Sequence, residues 1–125
     1  MPTPAPERRL LGRAQRLLQA RDFSRVRAQG QRLVHGCLIA NWVKLPATKG
    51  SRVGVVTSKR IGNAVARNRA RRLLREAFRQ HQHDFSVAVD LVLIARNSIV
   101  GKKLVDVEKD FLTTIRRAGL LKNTL

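Results

Sequence analysis

At 125 residues the chain is one domain of ordinary size, and 43% hydrophobic content allows it a real core rather than disorder. Its 26 lysines and arginines outnumber 8 acids, a net charge of +18 that opposes compaction by self-repulsion unless a polyanion neutralises it. Nucleic acid is the expected polyanion. An anionic membrane is the weaker expectation, because there is no basic amphipathic helix with a broad aromatic face, and no apolar run is long enough to span a bilayer. Arg8, Arg9, Arg13 and Arg16 interrupt the leading leucines, against a signal peptide. The single cysteine, Cys37, excludes an internal disulfide and fits a reducing cytoplasm, the expected location.

Met1 to Pro6 carries three of the four prolines and reads as tail; residues 1–12 are assigned to a flexible N-terminal tail and 13–125 to one domain. Glu7 to Ala20 is basic with scattered leucines, either partly helical or an arm that orders on RNA. Arg21 to Gln29 predicts a short helix with Phe23 and Val26 on one side and Gly30 as its stop. Cys37 to Leu45 alternates and predicts a strand, with a third central strand around Val34 to Ile39. Pro46 to Ser51 is turn chemistry. In Arg52 to Ser58, Val53, Val55 and Thr57 share one strand face, and Gly54, Val56 and Ser58 the other, where small residues admit a close ligand.

The most informative stretch is Thr57 to Gln80, in which Gly62-Asn63 breaks the chain before a basic helix. Wound at 100° per residue, Ala66, Ala70, Leu73, Leu74, Ala77 and Phe78 form one apolar arc. Asn68, Arg72, Arg75 and Arg79 lie opposite, with Arg67, Arg69 and Arg71 on the flanks. A salt-bridged solvent face would need acids three or four positions away, and Glu76 is the single acid in the run. A cationic array on a rigid element suits a phosphate backbone. His81 to Ser86 is a linker. Val87 to Ala95 predicts a strand buried on both faces, with Asp90 near its start or paired. Arg96 to Lys103 is a loop, and Leu104, Val107, Phe111, Ile115 and Ala118 mark a terminal amphipathic helix to about Leu121. The expected class is α+β: a small central sheet covered by helices.

Residue chemistry argues against catalysis by the protein itself. His81 and His83 beside Asp84 lack the spacing of a zinc site, with only His35 and Cys37 elsewhere. The eight acids offer no pair suited to acid and base duty or to two metals, and phosphate-loop, dinucleotide and nucleophile-elbow patterns are missing. Against DNA reading, the run offers arginine, a phosphate-positioning residue, with Asn68 alone available for base edges. Structured RNA fits better than duplex DNA.

The segment RVGVVTSKRIGNAVARNRARRLLREAFR resembles the signature region of the bacterial ribonuclease P protein component. Its Arg67-Asn68-Arg69 core is followed by a second basic cluster and Leu-Leu-Arg-Glu. Arg21-Asp22-Phe23 with Val26 and Gly30, and DLVLIAR at Asp90 to Arg96, extend the likeness over roughly residues 13 to 120. The resemblance implies a ribosomal-protein-like α-β sandwich with a left-handed β-α-β crossover. It also implies a non-catalytic subunit that joins a catalytic RNA, ribonuclease P RNA, in a 1:1 holoenzyme. That holoenzyme removes the 5′ leader of precursor tRNA endonucleolytically. Mg²⁺ would be held by RNA and substrate, not by a protein site. Carried over, Lys59, Arg60, Asn63, Arg67, Asn68, Arg69, Arg71, Arg72 and Arg75 would face the catalytic RNA, with Asn68 bridging backbone groups or capping the helix. Phe23, Arg27, Thr57 and Ser58 would face the leader, in a cleft between the first helix and the sheet. Phe23 reads equally as a stacking wall or as core. Arg27 stands where many relatives carry a second aromatic, and tyrosine is absent, which shifts leader recognition toward charge. The rival reading is a ribosomal or ribosome-associated protein without a cleavage role.

Overall fold

Ala20–Gln29 forms the first helix, α1, with Asp22 in its first turn and Arg27 in its last, each complementing the helix dipole. The computed structural model describes residues 16, 17, 19–46 and 50–122, so the assigned tail, most of the basic arm and turn residues 47–49 lie outside it. Gly30 ends α1 as expected, its N–H donating to the Val26 carbonyl at 2.9 Å. Its backbone is extended, not left-handed. Glycine is needed for space: a Cβ there would sit 2.4 Å from the Val26 oxygen and 2.5 Å from the Trp42 oxygen.

The stretch expected to hold a third central strand is instead a hairpin. Gln31–His35 (β1) turns through Gly36 and Cys37 into Leu38–Lys44 (β2). Gly36 adopts φ +57, and the Asp110 carboxylate accepts the Cys37 N–H at 3.0 Å, filling the space a side chain at Gly36 would take. β1 is an edge strand, hydrogen-bonded to β2 alone among the described residues.

Arg52–Val56 (β3), the basic helix Ala64–His81 (α2) and Val89–Ala95 (β4) complete the sheet in the order β1-β2-β4-β3. β4 is central, antiparallel to β2 and parallel to β3, so α2 is the crossover joining two parallel neighbours. The strand ends at Val56, two residues early, and Lys59–Ile61 forms a 3₁₀ turn. A second such turn, Asn97–Ile99, lies in the predicted loop, and Leu104–Arg117 is the terminal helix α3.

The two faces of the sheet are covered unequally. On one, Ala70, Leu74, Ala77 and Phe78 of α2 and Val107, Phe111 and Ile115 of α3 pack on Leu38, Ala40, Trp42, Leu91 and Leu93. Phe78 meets Phe85 edge-on, with centroids 5.8 Å apart. Truncating a fully buried phenylalanine such as Phe78 or Phe111 costs about 3–5 kcal/mol, so this layer fixes α2 in place. On the other face, among the described residues, α1 and Leu17 rest, with Val26, Leu17 and Val92 as a small second core. The Leu17 N–H donates to the Val53 carbonyl at 2.8 Å, extending the β3 edge with the preceding chain.

Candidate nucleic-acid interface

The α2 register follows the predicted arc: Ala70, Leu74, Ala77 and Phe78 are buried while Asn68, Arg69, Arg72 and Arg75 are exposed. The helix begins where Gly62 (φ +138) turns the chain and the Asn63 side chain accepts the Ala66 N–H at 2.9 Å. The cap is therefore Asn63. Asn68 lies mid-helix and accepts from Arg71, so it does not cap. Arg67 is half-buried and donates to the Gly62 carbonyl at 2.7 Å, bracing the turn before the helix. Arg69 leans the other way, donating to the Lys102 carbonyl at 2.7 Å and tying α2 to the start of α3. Lys59 and Arg60 are exposed on the preceding 3₁₀ turn.

Farther along α2, Asn68, Arg71, Arg72, Arg75, Glu76 and Arg79 line an open groove of about 350 Å³. Burial, followed by the charges of Arg16 and Arg71, pushes the Arg75 guanidinium below its usual range. Like charges are thus gathered at this point, and a phosphate would relieve them. Glu76 is the counterweight. Arg79 donates to it at 2.8 Å, and bonds from Arg79 and Gln80 hold its carboxyl down at about 2. Fixed guanidinium forks of this kind bind phosphate oxygens bidentately.

Arg71 joins the two predicted sets of residues. It donates to the Thr57 hydroxyl at 2.6 Å, so the α2 face runs into the end of β3 without a break. Exposed Ser58 lies at this junction. On the sheet face under α1, Phe23 stands over Gly54, where an added Cβ would come within 2.5 Å of the ring. Phe23 remains partly exposed while packing on the small core with Val56 and Ile94. Arg27 is exposed on α1.

Other features escaped residue-by-residue reading. Val34, Ile39, Ile94 and Val56 are paired in turn across all four strands, forming a half-exposed apolar row beside Phe23. Asp90, expected near the strand's start or paired, is both: it is the second residue of β4 and has two partners. Arg52 chelates it at 2.8 and 2.7 Å, and Arg25 of α1 donates to the same carboxylate. Asp22 lies within 4 Å of both arginines. Burial pushes the Asp90 carboxyl upward, but the bonds and charges of Arg52 and Arg25 outweigh it and hold it below the usual carboxylate range. This buried ion cluster locks α1 over the sheet and so sets where Phe23 stands.

His81, read as linker, ends α2 with its two ring nitrogens 2.8 Å from Asp84 and from Glu108 of α3. Burial pushes the Cys37 thiol up to about 12, making it a poor nucleophile or ligand at neutral pH. Among the described residues no three His, Cys, Asp or Glu side chains are grouped to hold a metal ion. None of the described helices is long and apolar enough to cross a membrane.

Comparison with known proteins accounts for this arrangement. Residues 11–119 match the family model for Ribonuclease P. The ribonuclease P protein component of Brevibacillus brevis is 34% identical over 110 residues, covering 88% of this chain and 87% of the relative. That of Syntrophomonas wolfei is 35% identical over 111 residues, covering 89% and 92%. The RNase P protein of Thermotoga maritima has the same fold, with a TM-score of 0.72 at 26% identity over 82% of this chain and 96% of that one. The Staphylococcus aureus protein shares it at a TM-score of 0.76, 24% identity and 86% and 98% coverage. With the family model and relatives 34% and 35% identical in agreement, the chain belongs to the ribonuclease P protein family.

Proposed function

We propose that this chain binds ribonuclease P RNA through the α2 face and the single-stranded 5′ leader of precursor tRNA through the sheet face beside α1. In this role it promotes endonucleolytic removal of that leader in a 1:1 holoenzyme. The observation that carries the reading is the division of the surface. One rigid face presents guanidiniums at fixed spacing, and the adjoining face presents Phe23 and an apolar row joined to it at Thr57. The first suits folded RNA, whose backbone is read by charge. The second suits an unpaired strand, whose bases lie on apolar and aromatic surfaces without strict sequence preference.

The protein's part is positioning and charge neutralisation. The RNA supplies the reactive site, and Mg²⁺ bound by RNA and substrate promotes the hydrolysis; the α2 groove, lined by four arginines, Asn68 and Glu76, suits a phosphate better than a metal ion. Neutralising about six phosphates gives a log–log salt slope of about −4 to −5 for the RNA complex. The test is cleavage of a precursor tRNA by ribonuclease P RNA at low magnesium, with and without this protein. Stimulation is expected. Binding to the RNA without stimulation, as a ribosomal protein would show, overturns it.

A further inference from the structure

One recess near the start of α2 has a character unlike the rest of the basic surface. Ile61, Ala66, Ala70, Ile99 and Val100 line it, with Arg69 forming part of the wall, and it encloses about 70 Å³. It lies where the two 3₁₀ turns meet the first turns of α2, and it is held shut at the bottom by core residues: Ile61 and Ile99 are 4% and 1% exposed. Around it the surface keeps large apolar side chains in water. Val65 is 76% exposed and Val100 57%, both well above what packing requires. Single exposed valines are ordinary, but Val100 lines the hollow itself and Val65 precedes its Ala66 in the first turn of α2.

The charges around this hollow are mostly positive, Asp106 being bonded back to the Lys103 N–H. Arg69 walls it, and its guanidinium is held by the Lys102 carbonyl, which brings the Lys102 and Lys103 segment alongside. Lys59 and Arg60 occupy the same 3₁₀ turn as Ile61, and the capped N-terminus of α2, the positive end of an 18-residue helix, opens beside it. No acid lines the recess. An apolar floor inside a cationic rim is complementary to one kind of ligand, a flat weakly polar ring carried on a phosphate. A volume of 70 Å³ is too small for a whole ligand, but it admits the edge of a ring whose remaining face leans on Val65 and Val100.

We propose that this recess receives an unpaired nucleobase of the partner RNA, with the attached phosphate on the Arg69 side of the rim. The inference rests on the RNA-binding reading of α2 and deepens it. It gives this end of the helix a contact that depends on the base itself rather than on charge, and thus a place where register along the RNA is set. The leader-facing surface, on the other side of the sheet, is not involved.

Two measurements test it. In methyl-resolved NMR of the full chain, adenosine 5′-monophosphate should shift the Ile99, Val100 and Ile61 methyls, and ribose 5-phosphate should not. The Ala66→Met variant, which fills the recess, should lose those shifts and keep any at Ile94 and Val56. No response at saturating nucleotide, or an equal response to ribose 5-phosphate, overturns the proposal. In salt titrations against ribonuclease P RNA, the Val65→Ser/Val100→Ser variant, altered at exposed positions that tolerate it, should bind about three- to tenfold more weakly with an unchanged salt slope. Unchanged affinity with a steep slope removes the recess and leaves the RNA interface standing. A flat slope in the unaltered protein removes the interface reading itself.

Discussion

Asp90→Asn tests whether the buried ion cluster holds α1 on the sheet. The carboxylate is fully buried and accepts two bonds from Arg52 and one from Arg25. Removing one partner of a buried pair costs about 3–5 kcal/mol. The guanidiniums keep a route to water, their side chains being 31% and 35% exposed, which places the loss near the lower end, at about 3 kcal/mol. For a domain of this size that is a fall in Tm of about 12 °C. The pH dependence gives a second reading. Because the folded carboxyl lies below its ordinary value, its contribution is complete above the unfolded pKa of about 3.9 and is lost as pH falls through the folded value. The gap between wild type and Asp90→Asn should therefore be full at pH 7 and pH 5 and close below about pH 4. Urea titrations across that range supply the measurement. A gap under about 0.5 kcal/mol at pH 7, or one that persists unchanged at pH 2, would refute the assignment of the cluster as α1's anchor.

Three further outcomes follow from the interface. Replacing Arg67 and Arg69 by Ala should weaken assembly with ribonuclease P RNA by about 1–3 kcal/mol per lost charged contact, read in a filter-binding titration; unchanged affinity contradicts their placement. Phe23→Ala should weaken binding of leader-bearing precursor more than that of mature tRNA, whereas equal loss on both would make Phe23 purely a core residue. Glu76→Gln removes the one acid lining the α2 groove and the charge that Arg79 pairs with there, so RNA affinity should rise and the salt slope steepen by about one unit. A weaker complex would mean instead that Glu76 orients Arg79 for binding.

The features readable in the sequence are those whose cause is local. The apolar arc of α2 declares itself because Ala70, Leu74, Ala77 and Phe78 recur at helical spacing regardless of what they pack against. The alternation in β3 likewise sorted Val53 and Val55 from Gly54 and Val56 before any partner was known. What stayed hidden depends on distant chain. β1 lies at an edge with mostly polar residues, so only its pairing with β2 reveals it. The partners of Asp90 are 38 and 65 residues away, and Glu108 reaches His81 from another helix. Asn68 and Asn63 are equally good caps by type, and the positive φ of Gly62 decides between them. Thr57 and Phe23 are residues of common kinds, and what they touch, the Arg71 guanidinium and the bare Gly54, comes from chain brought close only by the fold.

The claim that two faces of this protein hold two different RNAs can be tested by site-directed crosslinking in the assembled holoenzyme. The native Cys37 is buried with its thiol raised to about 12, so a photoreactive group can be attached selectively at Arg75→Cys on α2 or Arg27→Cys on α1. Crosslinks from position 75 to ribonuclease P RNA and from position 27 to the precursor leader are predicted. Both positions marking the same strand, or position 27 marking mature tRNA as readily as leader-bearing precursor, would contradict the account.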